Sequence, residues 1–186
     1  MAMCRMEAEV PSSMGGLISN IENATFSNNT AKYGGAITNI NSTVQTIQNS
    51  TFSSNNAFIS GGAIDNYLSA VDVIINVNFT DNYSDYYGGG IFNSTGGIIN
   101  LIQTSLFLDN SAVLYGGAIY NLNSISNIQG SSFISQSGYN GGAIFTRGEI
   151  GTLSNNTFFD NSAVNYGGAI HNNDGIIVLI ENNTFS

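Results

Sequence analysis

Among the 186 residues, charge of either sign is scarce, at 8 per cent, and only three side chains are cationic: Arg5, Lys32 and Arg147. With a formal charge of −9, the chain has no basic patch able to track phosphates, which argues against a nucleic-acid partner. There is one cysteine, Cys4, so no internal disulfide or thiolate metal cluster can form. The one proline, Pro11, lies near the start. No apolar run is long enough to span a membrane, so no insertion by this segment is expected. Long 3.6-period stretches rich in Ala, Leu, Glu and Lys are also missing, and Gly and Asn interrupt the chain every few residues. A helical solenoid is thereby disfavoured.

What the chain has is a repeat. Glycine pairs begin at Gly34, Gly61, Gly88, Gly116, Gly141 and Gly167. Phenylalanines keep the same beat at Phe26, Phe52, Phe79, Phe107, Phe133, Phe158 and Phe185. Both series step by 25–28 residues. A period in this range marks a solenoid, whose units stack on their neighbours because none can close a core alone.

Alignment on the phenylalanine gives apolar columns. Five positions before it stand Ile21, Ile47, Ile74, Ile102, Ile128, Leu153 and Ile180; eight before it stand Ile18, Val44, Val71, Ile99, Ile125, Ile150 and Ile177. β-Branched residues dominate, which favours strands. The expected fold is all-β: a right-handed single-stranded parallel β-helix of about seven rungs, spaced about 4.8 Å apart. Three short strands are expected per rung, at the Gly-Gly-Ala-Ile stretch, at the paired isoleucines and at the phenylalanine. The odd separation of the two apolar columns demands a corner or bulge between them.

Three polar columns accompany the apolar ones. Asn29, Asn55, Asn82, Asn110, Gln136 and Asn161 follow the phenylalanine by three, and Asn39, Asn66, Asn93, Asn121, Thr146 and Asn172 follow the glycine start by five. Asn23, Asn49, Asn76, Thr104, Gly130, Asn155 and Asn182 precede the phenylalanine by three. Stacked amides can bond one another along the rod, and asparagine tolerates the left-handed backbone of a corner. These columns and the phenylalanines read as structural ladders. Nine Asn-x-Ser/Thr sequons also occur, but several fall in the ladders and the composition alone produces them.

Residues 1–14 differ. They hold all four methionines and the lone cysteine and proline, and no apolar core follows Arg5, so they do not read as a signal peptide. The repeat domain spans 15–186, entered and left part-way through a rung. A longer parent repeat protein is expected, with 1–14 either a foreign or mis-assigned start or a genuine cap built on Met3, Met6, Val10 and Met14. The last rung, with Ile177, Ile180 and Phe185, is expected to be open to self-association.

Phe107-Leu108-Asp109-Asn110 followed by Gly116-Gly117-Ala118-Ile119, and Phe158-Phe159-Asp160-Asn161 followed by Gly167-Gly168-Ala169-Ile170, carry a resemblance. The pairing of Gly-Gly-Ala-Ile with Phe-x-x-Asn resembles the repeats of chlamydial polymorphic outer-membrane proteins and related adhesin-like proteins, over residues 15–186. The resemblance implies a right-handed parallel β-helix passenger exposed on a cell surface and used for adhesion; with structural columns complete and no convergent catalytic set, a non-catalytic role is expected, with a host or neighbouring-cell protein or glycan as partner.

Chemistry was sought beside it. Asp81 and Asp109 lie two positions after their phenylalanines, one rung apart, and could serve as an acid–base pair or as weak Ca²⁺ ligands. They support the alternative of a carbohydrate-active β-helix enzyme, a polysaccharide lyase or glycoside hydrolase. The other reading is solvated acids beside a turn. His171, the only histidine, lacks a nucleophile to serve and reads as a surface residue. No glycine pair is followed by Gly-Lys-Ser/Thr, so none reads as a phosphate loop. No cofactor is expected. Tyr33, Tyr87, Tyr115 and Tyr166 stand just before their glycine pairs, with Tyr139 one place earlier. As a stripe they are the candidate binding surface; plain packing across rungs is the competing account.

Overall fold

A computed structural model describes residues 15–186, and the expectations for 1–14 lie outside the described residues. The described chain is all-β, with strands from Gly16 to Phe185 and no helix. Its strands form four parallel sheets, of seven, seven, six and six strands, stacked as a β-solenoid of about seven turns. One turn runs Asn56–Ser60, Ile64–Tyr67, Ala70–Ile75 and Asn78–Thr80. Each strand pairs with its counterpart one repeat on, so Phe26↔Phe52, Phe52↔Phe79 and Ile64↔Ile91 are partners in register.

The rung therefore has four strands where the sequence predicts three. The additional one, for example Ser111–Tyr115, lies between the phenylalanine and the glycine pair. Its inward residues are small (Ala57, Ser84, Ala112, Gly138), which leaves no apolar column to read. The odd spacing of the isoleucines is absorbed within one strand: Ile99 and Ile102 share Ile98–Gln103, whose ladder skips Asn100 between them with no shift of register.

The core is built of columns. Seven phenylalanine rings stack with centroids 4.7–5.1 Å apart and planes within 10° of parallel. Carbon surfaces prefer about 3.5–4 Å. Rings held at the rung spacing therefore slide past one another, the offset geometry that their quadrupoles favour. Val44, Ile47 and Ile64 with their successors close the rest of the interior.

Corners explain the polar columns. All seven residues three before the phenylalanine have positive φ, from Thr104 at 45° to Gly130 at 59°. So do Asn28, Ser54, Asp81, Asp109, Ser135 and Asp160, two after it. The glycine pair solves two problems. Gly61 turns the chain at φ 63°, and a Cβ on Gly62 would lie 2.0 Å from the Gly89 carbonyl oxygen of the next rung. The first position needs the conformation; the second needs the space.

Two amide columns are hydrogen-bonded ladders. Asn55 donates to Asn82, Asn82 to Asn110, and Asn110 to Gln136, at 2.9, 2.9 and 3.1 Å. Asn39, Asn66, Asn93 and Asn121 form the second, ending on Thr146. Their amides also bond backbone carbonyls, as Asn110 does Phe79 at 2.9 Å. The third column is exposed at Asn76 and serves mainly through its backbone conformation. A hydroxyl ladder escapes the sequence reading: Val77 donates its N–H to Ser105, and Ser105 its N–H to Ser131.

Candidate functional site: the tyrosine corner

The third and fourth sheets meet at the glycine pair. The residue before each pair points outward, and so does the residue four after its start. The two columns thus face each other across the corner. The first runs Tyr33, Ser60, Tyr87, Tyr115, Asn140, Tyr166. The second runs Thr38, Asp65, Phe92, Tyr120, Phe145, His171.

The four tyrosines of the sequence reading thus share one column but not one environment. Tyr87 and Tyr115 are adjacent, with parallel rings 5.8 Å apart, and both are half-buried. Ser60 separates Tyr33 from Tyr87, and Asn140 separates Tyr115 from Tyr166. Tyr33 and Tyr166 are 44 and 59 per cent exposed, and the offset Tyr139 is also exposed.

The facing column gives the corner a small core of its own, in Phe92, Tyr120 and Phe145. Tyr120 sits edge-on to Phe145 at 5.0 Å and to Tyr115 at 5.6 Å. Burial pushes its hydroxyl up to about 12, opposed by the charge and hydrogen bond of Arg147. His171 continues the row, edge-on to Phe145 at 4.9 Å and 5.3 Å from Tyr166. Burial, then Arg147, lower its pKa, so the ring favours the neutral form. His171 is therefore half-buried within an aromatic row, where the sequence suggested a plain surface residue. Sequence inspection missed this second column; five-residue spacing across the corner (Tyr87/Phe92, Tyr115/Tyr120, Tyr166/His171) is the pattern that reveals it.

One rung of the corner is polar. Asp65 is 4 per cent exposed and accepts a hydrogen bond from Ser60, itself buried. Burial pushes its carboxyl up to about 7, and the Ser60 bond only partly counters this.

Asp81 and Asp109 lie elsewhere, at the exposed corner after the phenylalanine, each with φ 53°. They occupy the same corner position in adjacent rungs, as the sequence implies. Among the described residues no group of three or more His, Cys, Asp or Glu could hold a metal ion. No described helix is long and apolar enough to cross a membrane.

A model of the Chlamydia polymorphic membrane protein repeat matches residues 23–39, 76–94, 104–122 and 157–173. The chain carries these repeats. The first three matched stretches run from the left-handed corner before the phenylalanine, and the fourth from Thr157 just before Phe158, through the glycine pair, to the second amide ladder. Each therefore takes in the tyrosine corner and leaves out the long strand of the paired isoleucines. Repeats of this type imply an outer-membrane or surface protein, and theirs is not a known enzyme family. No curated protein and no solved structure matches the chain.

Proposed function

We propose that this chain is a segment of a non-catalytic cell-surface adhesin, a passenger rod that presents the tyrosine corner to a protein or glycan of a host or neighbouring cell. The observation that carries the reading is the coincidence of the polymorphic membrane protein repeats with a corner rich in outward aromatic rings. Interior columns account for the fold, so nothing in the core requires Tyr33 or Tyr166 to be aromatic. Exposed tyrosines offer large contact area at low entropic cost, either to sugar rings or to an apolar protein patch. The isolated chain also presents Ile180 and Phe185, each about half exposed, at its last turn; the reading includes self-association there, which light scattering tests.

The test is a binding screen of the purified chain on glycans and on cultured cells, beside a double variant Tyr33→Ser, Tyr166→Ser. Binding by the wild type and a tenfold or greater loss in the variant are expected. Binding undiminished in the variant would place the contact surface elsewhere. Polysaccharide turnover that vanishes in Asp109→Asn would replace this reading with the enzymatic one.

A further inference from the structure

Among the described residues, one carboxylate is buried in the outward face, that of Asp65. Asp65 replaces the threonine of the rung before and the phenylalanine of the rung after, since Thr38↔Asp65↔Phe92 are register partners. Its own corner partner is Ser60, where the flanking rungs have Tyr33 and Tyr87. The pair is thus roofed on one side by Tyr33 and Thr38 and on the other by Tyr87 and Phe92. Thr38 spends its hydroxyl on the Tyr33 carbonyl, at 2.8 Å. The titratable groups of the neighbouring segments are Lys32 and Tyr33 on one side, Tyr83, Asp85, Tyr86 and Tyr87 on the other, and Tyr67 on the strand of Asp65 itself. Lys32, beside Tyr33 on its strand, has its Nζ 5.3 Å from the Tyr33 ring centroid.

We infer that Ser60 and Asp65 form an acid-closed clasp on the tyrosine corner, which regulates the presentation of Tyr33 and Tyr87. The inference rests on the reading of that corner as the contact surface, but its physical basis is separate. A protonated Asp65 satisfies the corner with Ser60 and no counter-charge. An ionised Asp65 releases its proton to water and leaves a carboxylate, nearly sealed from solvent, with Ser60 as its donor. A buried charge so placed is costly, and the corner relieves it by opening to water. The hinge is at hand, because Gly61 is already in a left-handed conformation and Gly62 has no side chain. The corner is closed in mild acid and looser above neutrality.

Amide hydrogen exchange on the free chain, with no ligand present, tests this. At the clasp, Gly62 donates to Gly88 O and Ile64 to Gly90 O; in the control corner two rungs on, Gly117 donates to Gly141 O and Ile119 to Ala143 O. After correction for base-catalysed chemistry, protection of Gly62 and Ile64 is expected to fall by about tenfold or more from pH 5 to pH 8. The control amides should hold. Asp65→Asn should abolish the difference; Asp65→Thr, which copies Thr38, is the second variant should the first fold poorly. Equal loosening of both corners, no loosening at either, or loosening that survives both variants would overturn the inference. A failed ligand screen would not touch this measurement, so the two readings fail separately.

Discussion

Asparagine occupies two kinds of position in this rod, and a pair of substitutions separates their physical roles. Asn110 is fully buried. Its amide donates to Phe79 O at 2.9 Å and to Gln136 Oε1 at 3.1 Å, and its Oδ1 accepts from the Asn82 backbone N–H at 3.0 Å and the Asn82 amide at 2.9 Å. Removing it takes a bond from two donors and two acceptors in the interior, of which the Asn82 amide keeps Phe52 O and Gln136 Oε1 keeps the residue-110 N–H. At about 1–3 kcal/mol for each buried group left unsatisfied, with some relief from entering water, Asn110→Ala should cost on the order of 3–6 kcal/mol. Glycine cannot help there, because φ at Asn110 is not positive, and it adds about 0.5–1 kcal/mol of backbone entropy. Asn76 is the opposite case. It is exposed, has φ 53°, and makes one surface bond, to Asn49 at 2.8 Å. Asn76→Ala should cost about 1–2 kcal/mol for holding a Cβ in the left-handed region, and Asn76→Gly should cost almost nothing. Gly130 already fills the same corner two rungs on. Urea unfolding followed by circular dichroism measures all four variants, with an unchanged slope confirming a common transition. The reasoning is refuted if glycine restores stability at position 110, or fails to at position 76.

Other outcomes follow from the same geometry. Phe107→Ala removes a ring stacked at 4.7 Å on both Phe79 and Phe133 and should cost about 3–5 kcal/mol by the same assay; Phe185→Ala, at a half-exposed ring, should cost clearly less. Gly62→Ala should disrupt its corner, because the new Cβ would stand 2.0 Å from Gly89 O, whereas Gly130→Asn, at φ 59° with Thr104 Cγ2 the nearest contact at 3.6 Å, should be near neutral, as Asn76→Gly is at the same corner. For Asp65 the folded pKa of about 7 lies above the ordinary carboxyl value of 3.8, so its stabilising effect is full below pH 4 and is lost as pH rises through 7. The ceiling on that loss is about 4 kcal/mol, and urea midpoints of Asp65→Asn should lack this component between pH 4 and 7.

The fold was legible because its determinants recur. A solenoid repeats one environment, and seven samples of that environment expose the apolar columns, the amide ladders and the glycine pair. The strand between phenylalanine and glycine was not legible, since small side chains such as Ala112 and Gly138 fill its interior and leave no hydrophobic period. The hydroxyl ladder of Ser105 and Ser131 was hidden among many serines. The tyrosine column was legible at four of its six positions, but its facing column was not. Thr38 and Asp65 interrupt the aromatic run of Phe92, Tyr120, Phe145 and His171, whose residue types also vary, so the column emerges only once the five-residue spacing is joined to pairing across the rungs.

That mixture bears on where individuality resides in such a rod. The interior admits little change, because every inward residue must suit its neighbours above and below. Departures from the repeat are not spread evenly. The repeat model matches nothing between residues 39 and 76 or between 122 and 157. Those intervals hold Ser60 and Asp65 in one rung, and Gly130, Gln136, Asn140 and Thr146 in another. Gln136 and Thr146 keep their ladders running with different chemistry, donating or accepting where an asparagine stood. Asn140 and Ser60 break the tyrosine column and so divide it into segments, Tyr33 alone, Tyr87 with Tyr115, and Tyr166 with His171. A partner reading this face meets an ordered series of aromatic and polar rungs in place of a uniform stripe. Interruption at fixed rung spacing, about 4.8 Å per step, is how a repetitive rod can distinguish one ligand from another.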